Sequence, residues 1–276
     1  MRTTAMASKG ERGGRLVRAF TLVELLVAIG IIGILATISL PAIRGLTQSN
    51  ILAAAHRQFV DDLNLARQYA IGGHRTVYVV FVPPTVTSHF ETIRRDDDVQ
   101  PGARNIHLSA LTNLVNGQYT AYALFVWRSA GEQVGKGKTY PRYLTDWRNL
   151  PDGMYFETNK FVQLKPAEWS ALAETNRPLP YASFPLPLAI SPLRDLPYIA
   201  FDASGRLLYE GRKQPNQPDQ VVALERGSIF YEKNTNGAYV LTAPPDVVKT
   251  TKATNTLVRI SYLTGRTRVE GMTLKN

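Results

Sequence analysis

Residues 20–41, FTLVELLVAIGIIGILATISLP, constrain this chain more than any other stretch. Up to Pro41 the side chains are apolar or small, and the one charge among them is Glu24. Wound as a helix at about 1.5 Å per residue, the run is roughly 31 Å long, close to the ~30 Å hydrocarbon core of a bilayer, which predicts a transmembrane helix over 20–40. A carboxylate inside such a helix costs on the order of 2.5 kcal/mol or more in lipid, so Glu24 needs a partner or a task. The run is too long for an ordinary secretory signal, whose core is about 7 to 15 residues. A plain anchor fits the length and leaves Glu24 unexplained.

Ahead of it, MRTTAMASKGERGGRLVRA sets Arg2, Lys9, Arg12, Arg15 and Arg18 against Glu11 alone, a cytoplasmic flank by the positive-inside rule. The order small residue, Phe, Thr, Leu, Val, Glu, then an apolar run closed by Pro resembles the processing and methylation signal of type IV prepilins and type II secretion pseudopilins. The resemblance implies cleavage between Ala19 and Phe20 by a prepilin peptidase and methylation of the new N-terminus at Phe20. It also implies pairing of Glu24 with a neighbouring subunit's terminal amine during assembly. The family usually carries Gly where this chain has Ala19, which is also small.

Beyond the apolar run, 42–73 keeps a helical period, with Leu52, Phe59, Leu63 and Ala70 on one stripe supported by Ala55 and Ala66. Pro41 lacks an amide hydrogen, so a kink is expected there, and Gly30, Gly33 and Gly45 weaken the helix around it. Gly72 and Gly73 are expected to end it in left-handed backbone geometry. HRTVYVVFVPP follows as the first strand. The passage DLNLARQYAIGGHRTVYVVF resembles the helix-to-strand junction of H-type minor pseudopilins at Ala66, Arg67, Ala70 and Ile71, and the phrases FDASGR and YLTGRTRV resemble late pieces of their heads. Strands are also expected over 119–128, 198–211, 221–232, 238–243 and 256–271, with Asp202, Gly205 and Gly265 at tight turns. The stretch 88–118 is mixed and polar, and no helix or central strand is expected through the Pro-rich insertion at 166–197.

The chain carries +10 net charge, of which the leader holds four, and it has no cysteine. Absence of cysteine removes the C-terminal disulfide of many type IV pilins and favours the pseudopilin side of the resemblance. Near the C-terminus, Lys249, Lys252, Arg259, Arg266 and Arg268 form a basic group that would attract phosphate backbones or else line a solvated strand face. Asp96, Asp97 and Asp98 are adjacent rather than alternating and sit beside Arg94 and Arg95, which is a solvated loop and not a calcium site. Gly137-Lys138-Thr139 has the ending of a P-loop without its first glycine, so a hairpin turn is expected. His56, His74, His89 and His107 are scattered, with no HExxH and no GxSxG, and neither a metal, a cofactor nor an enzymatic activity is predicted.

The expected architecture is α+β: a leader over 1–19, a transmembrane helix over 20–40, an amphipathic continuation over 41–72, and an antiparallel β-sheet head over 73–276. The resemblance implies a single pass through the inner membrane with the head periplasmic. It further implies a structural minor pseudopilin of a type II secretion system, with the prepilin peptidase, other pseudopilins and the assembly platform as partners. The alternative is a minor type IV pilin that binds DNA through the basic C-terminal group.

Overall fold

The computed structural model describes residues 21–95, 101–128, 141–164, 168, 172–209, 218–235, 240, 244–250 and 256–271. The chain divides into two compact units, Met1–Gln48 and Ser49–Asn276. Helix α1, Leu22–Gly72, supplies the described part of the first unit and opens the second.

In the first unit the described side chains end at Leu35, and those of 36–49 lie outside the described residues. Among the described residues no helix is long and apolar enough to cross a membrane. The transmembrane helix expected over 20–40 is therefore corrected, and so is the single-pass inner-membrane topology. Within the described part of that run the Glu24 carboxylate stands in the first turn of α1, a group that is costly in lipid.

The second unit is built outward from two strands that are apolar on both faces. Strand β1, Val77–Phe81, and helices α2, Ser88–Arg95, and α3, Pro101–Val115, precede strand β2, Ala121–Val126. Strands β3 (Arg142–Tyr143), β4 (Arg148–Asn149), β5 (Met154–Phe156), β6 (Tyr181–Pro185) and β7 (Leu193–Phe201) follow. Then come β8 (Leu207–Leu208), β9 (Gln220–Phe230), β10 (Asp246–Lys249), β11 (Thr256–Ile260) and β12 (Thr267–Gly271). They form two antiparallel sheets where one was expected. The larger runs β3-β2-β1-β7-β6, with β4 on β2 and β8 on β7; the smaller runs β10-β9-β11-β12, with β5 on β9.

Side chains alternate along a strand, so each face of the larger sheet needs its own cover. Val77, Val79 and Phe81 of β1 and Tyr122, Leu124 and Val126 of β2 share a core with Ala55, Phe59, Leu63, Ala66 and Ala70 of α1. Val222 and Leu224 of β9 and Val258 and Ile260 of β11 bring the smaller sheet into the same core. Tyr78, Val80, Ala121 and Phe125 face the other way, against Phe90 and Ile93 of α2 and Leu111, Leu114 and Val115 of α3. Within the stretch 88–118, polar as a sequence, 88–95 and 101–115 are therefore helical because a few apolar residues at helical spacing cap a sheet face.

The Pro-rich insertion also departs from expectation, since β7 lies between β1 and β6. Pro197 is accommodated where the partner changes: pairing with β1 begins at Val80↔Tyr198, and Pro197 itself pairs with Tyr181 of β6. Gly205 and Gly265 do adopt positive φ, +78° and +60°. Their turns touch, for a Cβ on Gly265 would lie 1.9 Å from the Gly205 carbonyl oxygen. The end of α1 is different. The residue at positive φ is His74, at 46°, not Gly72 or Gly73. The Arg75 N–H donates to the Ala70 carbonyl at 3.1 Å and the His74 N–H to that of Ile71 at 3.2 Å, the Schellman pattern with His74 in the left-handed place.

Polar contacts fix the register of α1 on the sheets. Asp62, buried, accepts the Tyr122 hydroxyl at 2.7 Å and pairs with Arg148. Gln58 Nε2 donates to Tyr122 Oη at 3.2 Å and to the Asn149 carbonyl at 2.8 Å. Arg67 Nε donates to the carbonyls of Thr264, at 2.8 Å, and Gly205, at 3.1 Å. The wholly buried Lys160, ahead of the insertion, donates from Nζ to the carbonyls of Thr175 and Arg177 within it.

Phe59 packs edge-on against Phe81, Tyr122 and Phe156. Phe59→Ala is expected to cost about 3–5 kcal/mol, read by chemical denaturation, because no small side chain fills that space. Lys160 gives a pH dependence. Burial pushes its pKa down to about 8, so between pH 8 and 10.5 the unfolded chain holds this proton more tightly than the folded one. Its contribution is complete above pH 10.5 and is lost as pH falls through 8. Stability should therefore rise by on the order of 1–2 kcal/mol from about pH 7.5 to 9.5, and Lys160→Met should abolish the rise.

Candidate functional site

The start of α1 is set by a threonine whose hydroxyl substitutes for a missing backbone acceptor. The Glu24 N–H donates to Thr21 Oγ1 at 3.2 Å, and the Leu25 N–H donates to the Thr21 carbonyl at 3.1 Å, the first rung of the helical ladder. Thr21 is thus the N-cap and Glu24 the third helical residue, the spacing of a capping box. Thr21 Oγ1 also lies 3.5 Å from Glu24 Oε2. A carboxylate in the first turn faces the positive end of the helix dipole, which stabilises it by about 0.3–1 kcal/mol. Sequence reading singled out Glu24 and passed over Thr21, although Thr-x-x-Glu is itself the capping signal.

The surroundings of that carboxylate are unusual. Leu22 is 79% exposed, Leu26 65% and Ile32 64%, and Glu24 is exposed among them. An ionised carboxylate accepts hydrogen bonds and donates none, so its complement is a cation or an amine. Ala19 and Phe20 lie outside the described residues. Position 41 falls within the bounds of α1, and the Pro41 side chain lies outside the described residues, as the expected kink does.

The basic C-terminal group is brought together only in part. Arg259 and Arg268 are register partners on β11 and β12, and like charges so placed repel. Glu270 answers both, accepting from Arg259 Nε at 2.8 Å and from Arg268 Nε at 2.6 Å. Arg259 Nη1 also reaches Glu174 at 2.8 Å. These two arginines hold the Glu270 carboxyl below the usual range. Lys249 stands on a different edge strand and donates to the buried Glu225 at 2.7 Å, which also accepts the Tyr155 hydroxyl at 2.9 Å. Arg266 is exposed, and Lys252 lies outside the described residues.

The P-loop-like residues 137–139 and the carboxylates 96–98 also lie outside the described residues. His56 is buried inside α1 with Nδ1 at 2.8 Å from the Leu52 carbonyl, His74 ends α1, and His89 and His107 belong to α2 and α3. Among the described residues no three His, Asp or Glu side chains group so as to hold a metal.

No curated protein and no solved structure matches the chain. Residues 14–40 match the family described as the prokaryotic N-terminal methylation motif, a segment that takes in Thr21 and Glu24. The motif is characteristic of type IV pilin-like proteins that are processed as prepilins.

Proposed function

We propose that the chain is a structural subunit of a type II secretion pseudopilus, of the minor, H-type kind, made as a precursor and cut between Ala19 and Phe20. Phe20 is then the methylated terminus. Glu24 is the assembly residue: its carboxylate pairs with the terminal amine of a neighbouring subunit, and the prepilin peptidase and other pseudopilins are the partners. The observation that carries this reading is the coincidence of the methylation motif with a capped first turn that holds an exposed carboxylate among exposed apolar side chains. An amine brought to that carboxylate covers a charge, and the apolar residues around it are covered in the same step. DNA binding is not favoured, because Lys249, Arg259 and Arg268 each already answer a carboxylate.

Expressed with a prepilin peptidase, the protein should lose residues 1–19 and gain one methyl group on Phe20, read by intact mass and N-terminal sequencing. A terminus beyond residue 41 contradicts the assignment. Glu24→Ala should be cut as the natural chain is and yet be incorporated poorly with other pseudopilins. Incorporation at the natural level removes Glu24 from assembly.

A further inference from the structure

The face of β7 that meets α2 ends in a charge that no carboxylate among the described residues pairs with. Leu196, Tyr198 and Ala200 share that face with Phe90 and Ile93 of α2, and period two puts Arg194 on the same side, opposite Phe184 in the register. Arg194 Nη1 donates to the Leu193 carbonyl at 3.2 Å. Its other edge, Nε and Nη2, is buried without a hydrogen-bond partner among the described residues, and so is Nε2 of His89 on α2. Nε and Nη2 are the two atoms whose N–H bonds run parallel on one side of a guanidinium, the fork that grips two oxygens of one carboxylate or phosphate. The helix that carries His89 packs on the face of β7 that carries Arg194. His89 is pushed down to about 4, first by burial and then by the Arg194 cation, with the Asp195 carboxylate opposing. Asp195 falls on the other face of β7, where its Oδ1 accepts the Ser183 hydroxyl at 2.7 Å. His89 is thus neutral at pH 7, and in the Nε2–H tautomer it adds a third donor without adding charge.

We propose that Arg194 and His89 form a binding site for an oxyanion, a phosphate or carboxylate group taken by the guanidinium fork and by Nε2–H of His89. Buried donors of this kind are ordinarily satisfied, and an anion satisfies all three while offsetting the one charge. This site is independent of the methylation motif and of assembly through Glu24.

The test titrates the full-length protein with inorganic phosphate, and separately with acetate, at constant ionic strength set by chloride. The readout is the His89 imidazole resonance, identified by its loss in His89→Gln. Saturable movement of that resonance is expected with phosphate, acetate or both, and which of them saturates tells whether the site takes a phosphate or a carboxylate. The titration midpoint of His89 should rise in the bound form, since the anion offsets Arg194. Arg194→Gln should weaken binding by at least about tenfold, and Arg194→Lys should weaken it too, because a lysine keeps the charge and loses the fork. If Arg194→Gln fails to fold, Arg194→Lys carries the comparison. A response reproduced by chloride alone, or one unchanged by Arg194→Lys, overturns the proposal.

Discussion

The seating of the second half of α1 against β1 and β2 is the contact on which the larger unit depends. Phe59 and Leu63 lie wholly buried at its centre, and each contributes about 1.5–3 kcal/mol by leaving water. Through this core the two sheets meet, since β9 and β11 of the smaller sheet reach the same helix stripe that covers the larger one. Apolar packing alone would let a smooth stripe slide. Asp62, Gln58 and Arg67 remove that freedom, because a one-turn shift would leave a buried carboxylate without the Tyr122 hydroxyl and an arginine without its two carbonyls.

The other end of the same helix has the opposite character. There the apolar side chains are exposed, and the one charge sits in the first turn under a threonine cap. On the proposed function, the apolar side chains left exposed over 22–35 are the surface that joins copies or relatives side by side. The capping interaction gives this a direction, for Thr21 holds the backbone of Glu24 at the very start of the helix. In the proposed assembly the carboxylate then sits where the next subunit's terminus arrives.

Much of this was legible in the sequence where one physical signal dominated. The stripe of Phe59, Leu63, Ala66 and Ala70 follows from spacing, and the turns at Gly205 and Gly265 follow from the need for positive φ. The signals failed where two effects competed. Length and hydropathy over 20–40 predicted a membrane span, and no helix of the described residues is long and apolar enough to make one. His74 takes the left-handed place expected of the two adjacent glycines. Prolines argued against a central strand, but β7 changes partner at Pro197, so the missing amide falls where the pairing with β1 has ended. Within the basic C-terminal group, composition could not reveal that Glu270 and Glu174 answer Arg259, since Glu174 is brought there by the fold from a distant part of the chain.

The central claim is that Glu24 meets the terminal amine of another subunit. Its most direct measurement is solid-state NMR on assembled fibres mixed from two preparations, one carrying 13C at the Glu24 carboxylate and the other 15N at the Phe20 amine. The account predicts a dipolar coupling between the two labels in the mixed fibre, and none when unassembled subunits are mixed. Fibres that form fully and show no such coupling would contradict it.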